Sequence, residues 1–277
     1  MRLGVPGGCG GGFGCIGLGF REEGCVMGFI KAEDRTDDLR AKAFAASPLG
    51  APTDDLTDVG KWLWEELAFI WLDFDERLSR VPMVQRLENG SLTVEDYQEL
   101  LLNLRQQVME GGRWIALASS NVSVGLFEIR SQIIRHAAEE HRDFLMIERN
   151  YASVGGDPVK MQLQPKNIGS EALNSYMFHQ ASQPDPLHLA GAMFIIDGLG
   201  SIKAAGWAKN IKETLGLEDG QVTFLAYHGE NDENHYSKLI GLLSNPLVDF
   251  GLAAKMAKTA KVVARLYALQ LEELGNI

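Results

Sequence analysis

The sequence predicts an all-α bundle of about seven helices. Three observations point there. Apolar residues recur at three- to four-residue spacing from Val59 onward, no segment alternates with period two, and capping signals punctuate the helical stretches.

The elements follow in order. Residues 1–27 are glycine-rich (GGCGGGFGCIGLGF) and lack the clean apolar core and small-residue cleavage site of a secretory signal. No strand precedes these glycines and no Lys-Ser/Thr pair follows them, which argues against a phosphate-binding loop. Residues 31–58 are polar, charged and broken by Pro and Gly. We expect residues 1–58 to be a disordered leader and linker, and 59–277 to be the folded helical domain. The first helix is read over 61–80, with a turn at Glu88-Asn89-Gly90. Thr93, three residues before Asp96, gives a capping-box start with Asp in place of the usual Glu. That helix runs to about Ser120. The next covers 126–151 and stops at Gly155-Gly156. Asp157-Pro158 reads as an N-cap followed by Pro at the first helical position. Further helices are read at 169–181, 187–208, 220–243 and 249–274.

The 277 residues are 45% hydrophobic and 23% charged, with a net charge of −11. No basic block of the kind that binds nucleic acid is present, and no apolar run reaches membrane-spanning length. The expected partner is a small molecule or another soluble protein. The three cysteines, Cys9, Cys15 and Cys25, leave the helical region without a disulfide, a thiolate ligand or a Cys nucleophile. This usage fits a reducing compartment, and we expect a cytoplasmic protein.

The sharpest chemical signal is Tyr227-His228-Gly229-Glu230-Asn231-Asp232-Glu233-Asn234-His235. His228, Asp232 and His235 are spaced i, i+4, i+7, on one helical stripe. Two imidazoles and a carboxylate there match the donor set of non-heme iron, with manganese or zinc as alternatives. The plain alternative is a solvated polar face, against which Phe224, Leu225, Leu239 and Leu242 continue the stripe. Asp197 is the only charge between His188 and Lys203, and a carboxylate in such an apolar helix is costly unless paired or metal-bound. The alternative for Asp197 is a kink residue bonded to backbone amides. His141 sits among charges beside His136, Glu139 and Glu140, a setting in which a histidine is ordinarily a surface residue. Glu110 lies in an apolar stretch before Gly111-Gly112, which points to a kink or a close helix contact; pairing with Arg105 or Arg113 is its alternative reading. Trp114, Phe194 and Tyr227 are candidate cavity residues, and core packing explains any one of them equally well.

Together these pieces resemble the heme-oxygenase-like diiron oxidase and oxygenase family, relatives of TenA and PqqC proteins, over about residues 60–245. The resemblance rests on the late His-x3-Asp-x2-His, met by His228, Asp232 and His235, with Asp197 thirty-one residues earlier. His141, with Phe144, Leu145 and Gly155-Gly156 after it, matches the family's earlier histidine, and Glu110 its first glutamate. The resemblance implies a heme-oxygenase-like bundle in which Glu110, His141, Asp197, His228, Asp232 and His235 bind iron and carry catalysis. Many members place another carboxylate three to ten residues before the earlier histidine. The matching positions here are Ala138, Ile134 and Ser131, so two Fe(II) ions of unequal affinity are expected, with Glu139, Glu140 or His136 left open as an added ligand.

The activity so implied is O2-dependent oxidation of a small organic substrate, by N-oxygenation, desaturation, C–C cleavage or decarboxylation. An electron donor and a homodimer are compatible with it. The thiaminase branch needs a downstream cysteine and heme degradation an early proximal histidine, and the sequence offers neither. A cofactorless helical metabolite-binding protein of the same fold remains the alternative.

Overall fold

The computed structural model describes residues 32–276 except 244, and the side chains of 32, 231–239 and 243 lie outside that description. The described residues form helices and no strand. In chain order the α-helices are α1 (Asp37–Ala46), α2 (Asp58–Leu78), α3 (Pro82–Glu88), α4 (Val94–Asn121), α5 (Phe127–Glu140) and α6 (Phe144–Ser153). They continue with α7 (Pro158–Leu163), α8 (Ile168–Ala181), α9 (Ala190–Leu199), α10 (Ala205–Leu215), α11 (Thr223–Leu243) and α12 (Phe250–Glu272).

Local chemistry sets several boundaries as expected. Thr93 Oγ1 accepts from the Asp96 N–H at 3.1 Å and Asp96 accepts from the Thr93 N–H at 3.0 Å, closing the capping box of α4. Asp157 caps α7 through the Val159 N–H at 2.9 Å, with Pro158 at its first position. Helix α12 packs against α2, α8 and α9, and presents Ala253, Ala257, Ala260, Ala264 and Ala268, all buried. Small side chains there let the surrounding helices approach closely. The apolar faces of α2 and α4 complete the core with Leu63, Leu67, Trp71, Phe74, Tyr97 and Leu101.

Residues 32–58 depart from the expected linker. Helix α1 packs on α2, and Leu49 and Leu56 join the main core. The Arg35 guanidinium, 7% exposed, lies 2.7 Å from Glu66 and 4.4 Å over the Phe69 ring. The polar composition of this stretch misled because its basic residues are partnered by α2: Arg35 and Arg40 meet Glu65, Lys42 meets Glu76, and Glu66 also meets Lys261 on α12 at 3.4 Å. The packed region therefore starts well before Val59; residues 1–31 lie outside the described residues.

Two further differences concern the site. The helix expected over 126–151 is broken between Glu140 and Phe144. The helix expected to end at 208 runs on as Leu187–Leu215, and residues Gly200–Ala204 within it form a π-helical turn. That helix is long and apolar enough to cross a membrane by length and composition, contrary to the sequence expectation; more than half of its apolar stretch is buried in the bundle.

Candidate metal centre

The break between α5 and α6 builds the site. A Cβ on Gly112 of α4 would stand 2.7 Å from the Cα of His141, so α4 and the end of α5 touch backbone to backbone there. Glu140 is the last residue of α5, and Asp143 occupies the cap position of α6. A capping aspartate ordinarily has extended backbone and accepts from the first-turn N–H groups. Asp143 has φ −67° and ψ −27° and makes no such bond. Its carboxylate instead lies 3.4 Å from Nε2 of His228, with side-chain exposures of 10% and 13%. Donor atoms of Glu140, Asp143 and His228 all lie within 4.8 Å of one another. One turn earlier on α5, His136 Nε2 is 4.0 Å from Glu140.

His228 is held firmly. Phe224 meets its ring edge-on at 4.5 Å and Tyr227 at 5.5 Å. At the next residue, a Cβ on Gly229 would come within 2.6 Å of the Ala205 backbone nitrogen, so only glycine permits this approach of α11 to the π turn and α10.

Two cavities border the cluster, of about 90 and 120 Å³. Both are lined by Trp114, Ile115, His136, Met193 and Asp197, and the first also by Glu140 and His228. Asp197 stands just before the π turn; such turns recur at functional sites because they disrupt regular helical bonding. No Lys or Arg is among the described residues lining either cavity. Two carboxylates and an imidazole within one ion's reach fit a divalent metal such as iron, manganese or zinc.

The expected site residues divide. His228 and Asp197 reach the cavity. Asp232 and His235 belong to α11, but their side chains lie outside the described residues. Glu110 and His141 are not brought to the cluster. Glu110 is 6% exposed and bonded to Arg113 at 2.6 Å and Lys166 at 2.9 Å, so the ion-pair alternative describes it. His141 is exposed; its Nδ1–H donates to the Ala138 carbonyl at 2.8 Å and its Nε2 accepts from Arg142 at 3.2 Å. The sequence reading missed Asp143, and left His136 and Glu140, with Glu139, open as an added ligand. The one available signal was Asp143 standing immediately before the apolar run Phe144–Ile147, the pattern of a helix start. Of the candidate cavity residues, Trp114 lines both cavities. Phe194 is buried edge-on against Trp71 at 5.9 Å, and Tyr227 is 43% exposed.

No protein-family model matches the chain, and neither does any curated protein sequence. Solved structures do. A domain with a heme oxygenase-like fold from Shewanella denitrificans superposes with a TM-score of 0.69 at 18% identity, over 79% of this chain and 92% of that one. A TenA homologue from Pseudomonas syringae gives 0.61 at 13% identity, over 80% and 94%. Heme oxygenase-1 from the cyanobacterium Synechocystis, in complex with heme, gives 0.59 at 16% identity, over 79% and 94%. The all-α architecture expected from the sequence is thus the heme oxygenase-like fold, which this chain shares with TenA homologues.

Proposed function

We propose that this chain is a non-heme diiron oxidase or oxygenase that uses O2 to oxidise a small organic substrate. The observation that carries the reading is Asp143, turned away from capping α6 and toward His228, with Glu140 in reach of both at the wall of an apolar cavity. Glu140, Asp143 and His228 would hold one ion. His136 and Asp197, with Asp232 and His235 of α11, are the candidates for the second, weaker site. Bound iron would supply the redox chemistry with O2, and N-oxygenation, desaturation, C–C cleavage and decarboxylation are the outcomes it allows. The chain's own contribution is structural: Phe224 and Tyr227 fix the His228 ring, and the apolar walls orient the substrate and limit water. We place the protein in the cytoplasm, where Fe(II) and a reducing partner are available.

The test is anaerobic Fe(II) titration followed by O2 exposure in a stopped-flow spectrometer. The expected result is one tight and one weaker ion per chain and an O2-dependent absorbance change. Asp143→Asn and His228→Ala should lose the tight ion while staying helical by circular dichroism. Full iron in both variants would overturn the assignment. A folded wild-type chain that takes up no iron yet binds an apolar ligand would make it a metabolite-binding protein.

A further inference from the structure

The cavity that meets Glu140 and His228 is also lined by two hydrogen-bond donors, the Trp207 indole N–H and the Gln107 side-chain amide. Trp207 of α10 lines it and is 7% exposed. Its indole N–H is fully buried and has no acceptor among the described residues. An indole nitrogen can only donate, and leaving it unmet costs free energy that buried polar groups seldom forgo without a reason. Gln107 of α4 lines the same cavity and is 9% exposed. Its Oε1 accepts from Gln270 Nε2 at 2.8 Å. Gln270, fully buried, accepts in turn from Ser170 Oγ at 3.2 Å, and Ser170 accepts from Asn103 at 3.2 Å. This buried chain of bonds holds the Gln107 carbonyl, which leaves the Gln107 side chain its amide nitrogen to donate from.

We infer that Trp207 and Gln107 form the substrate-recognition end of the cavity and select an apolar molecule that presents a neutral carbonyl-type oxygen at this end. Two donors require an acceptor. The remaining wall, including Leu100, Leu104, Ile196 and Leu271, requires an apolar body. The absence of Lys and Arg from the described lining residues leaves an anionic headgroup without a countercharge at this end. The two cavities share Trp114, Ile115, His136, Met193 and Asp197 in their walls and together exceed the about 150 Å³ that accommodates benzene.

This inference names the substrate class for the site proposed above, and its readout is binding to the metal-free full-length chain. Absence of iron uptake would therefore overturn the redox reading and leave this one standing. The probes are 4-fluoroacetophenone, which has a carbonyl acceptor, and 4-fluoroethylbenzene, which has nearly the same shape without it, titrated by fluorine NMR. The wild-type chain should bind the ketone about tenfold more tightly than the hydrocarbon. Trp207→Phe and Gln107→Leu should each reduce that ratio to about threefold or less while leaving hydrocarbon binding nearly unchanged. A wild-type ratio near one, a full ratio retained in both variants, or no binding of either probe would overturn the inference.

Discussion

The backbone of Gly112 in α4 packs against the backbone of His141, and a Cβ at Gly112 would lie 2.7 Å from both the Cα and the Cβ of His141. This contact sits where α5 ends, between Glu140 and Asp143. It makes a glycine on one helix a positional determinant of two candidate ligands on another.

Gly112→Ala should therefore displace the α5–α6 break, destabilise the chain by roughly 1–3 kcal/mol through overpacking, and weaken Fe(II) binding. Gly111→Ala is the control. Nothing lies within 4 Å of its added methyl, and Ala in place of Gly in a helix interior stabilises by about 0.8–1 kcal/mol. Melting temperatures should move in opposite directions in the two variants, and iron should be lost only from Gly112→Ala. Iron retained in Gly112→Ala would mean that the break does not depend on this contact.

Glu110 gives a test that separates the sequence expectation from the structure. Bonded to Arg113 and Lys166, it is expected to contribute stability and no ligand. Glu110→Gln should lower stability by about 1–3 kcal/mol, the range for hydrogen bonds to charged groups, and should retain both irons. Loss of iron with unchanged thermal stability would restore Glu110 to the metal set.

The fold was legible because helical periodicity and caps are local signals, and Thr93, Asp96, Asp157 and Pro158 behave as their chemistry dictates. His228 and Asp197 were legible for the same reason: one belongs to an i, i+4, i+7 stripe and the other is a lone charge in an apolar helix. Asp143 was not. The residues from His141 to Asp143 are all compatible with helix, so the period runs through the break, and the residue that packs against the break, Gly112, lies about thirty residues away in sequence. Glu110 and Arg35 show the complementary difficulty. A buried carboxylate looks like a ligand until Lys166, 56 positions away, is seen to meet it. A charged stretch looks like a linker until Glu66 and Phe69 are seen to receive its arginine.

Arg35 supports a third prediction. Its side chain is 7% exposed and its partner Glu66 10%. Arg35→Ala leaves the Glu66 carboxylate with Lys261 alone and removes the stacking on Phe69. Breaking a buried pair from one side costs about 3–5 kcal/mol, and a large part of that should appear in urea melts. Removal of residues 1–56 deletes α1, Leu49 and Leu56 as well, and should be at least as damaging. A truncated chain that melts like the full-length protein would show that residues 32–56 are dispensable after all.

His188 sets a pH dependence away from the metal centre. It is 9% exposed, and its Nε2–H donates to Gln180 Oε1 at 2.8 Å. Burial, and to a smaller extent the charge of Lys255, pushes its pKa below the ordinary histidine value. The folded state thus prefers neutral His188, and the unfolded chain binds the proton more readily. Stability from this residue is complete above the unfolded pKa of about 6.5 and declines as the pH falls from there toward the depressed folded value. In the metal-free chain, where ligand protonation cannot contribute through lost iron, the melting temperature should fall between pH 7.5 and 5.5. His188→Gln removes the titrating group and should flatten that part of the profile relative to wild type, at some cost in stability at pH 7.5. Iron uptake at pH 7.5 should be unchanged, because His188 lines neither of the two cavities that border the cluster. A wild-type stability profile that rises on acidification through this range, or one that His188→Gln leaves unaltered, would show that the buried imidazole is not the group that senses the proton.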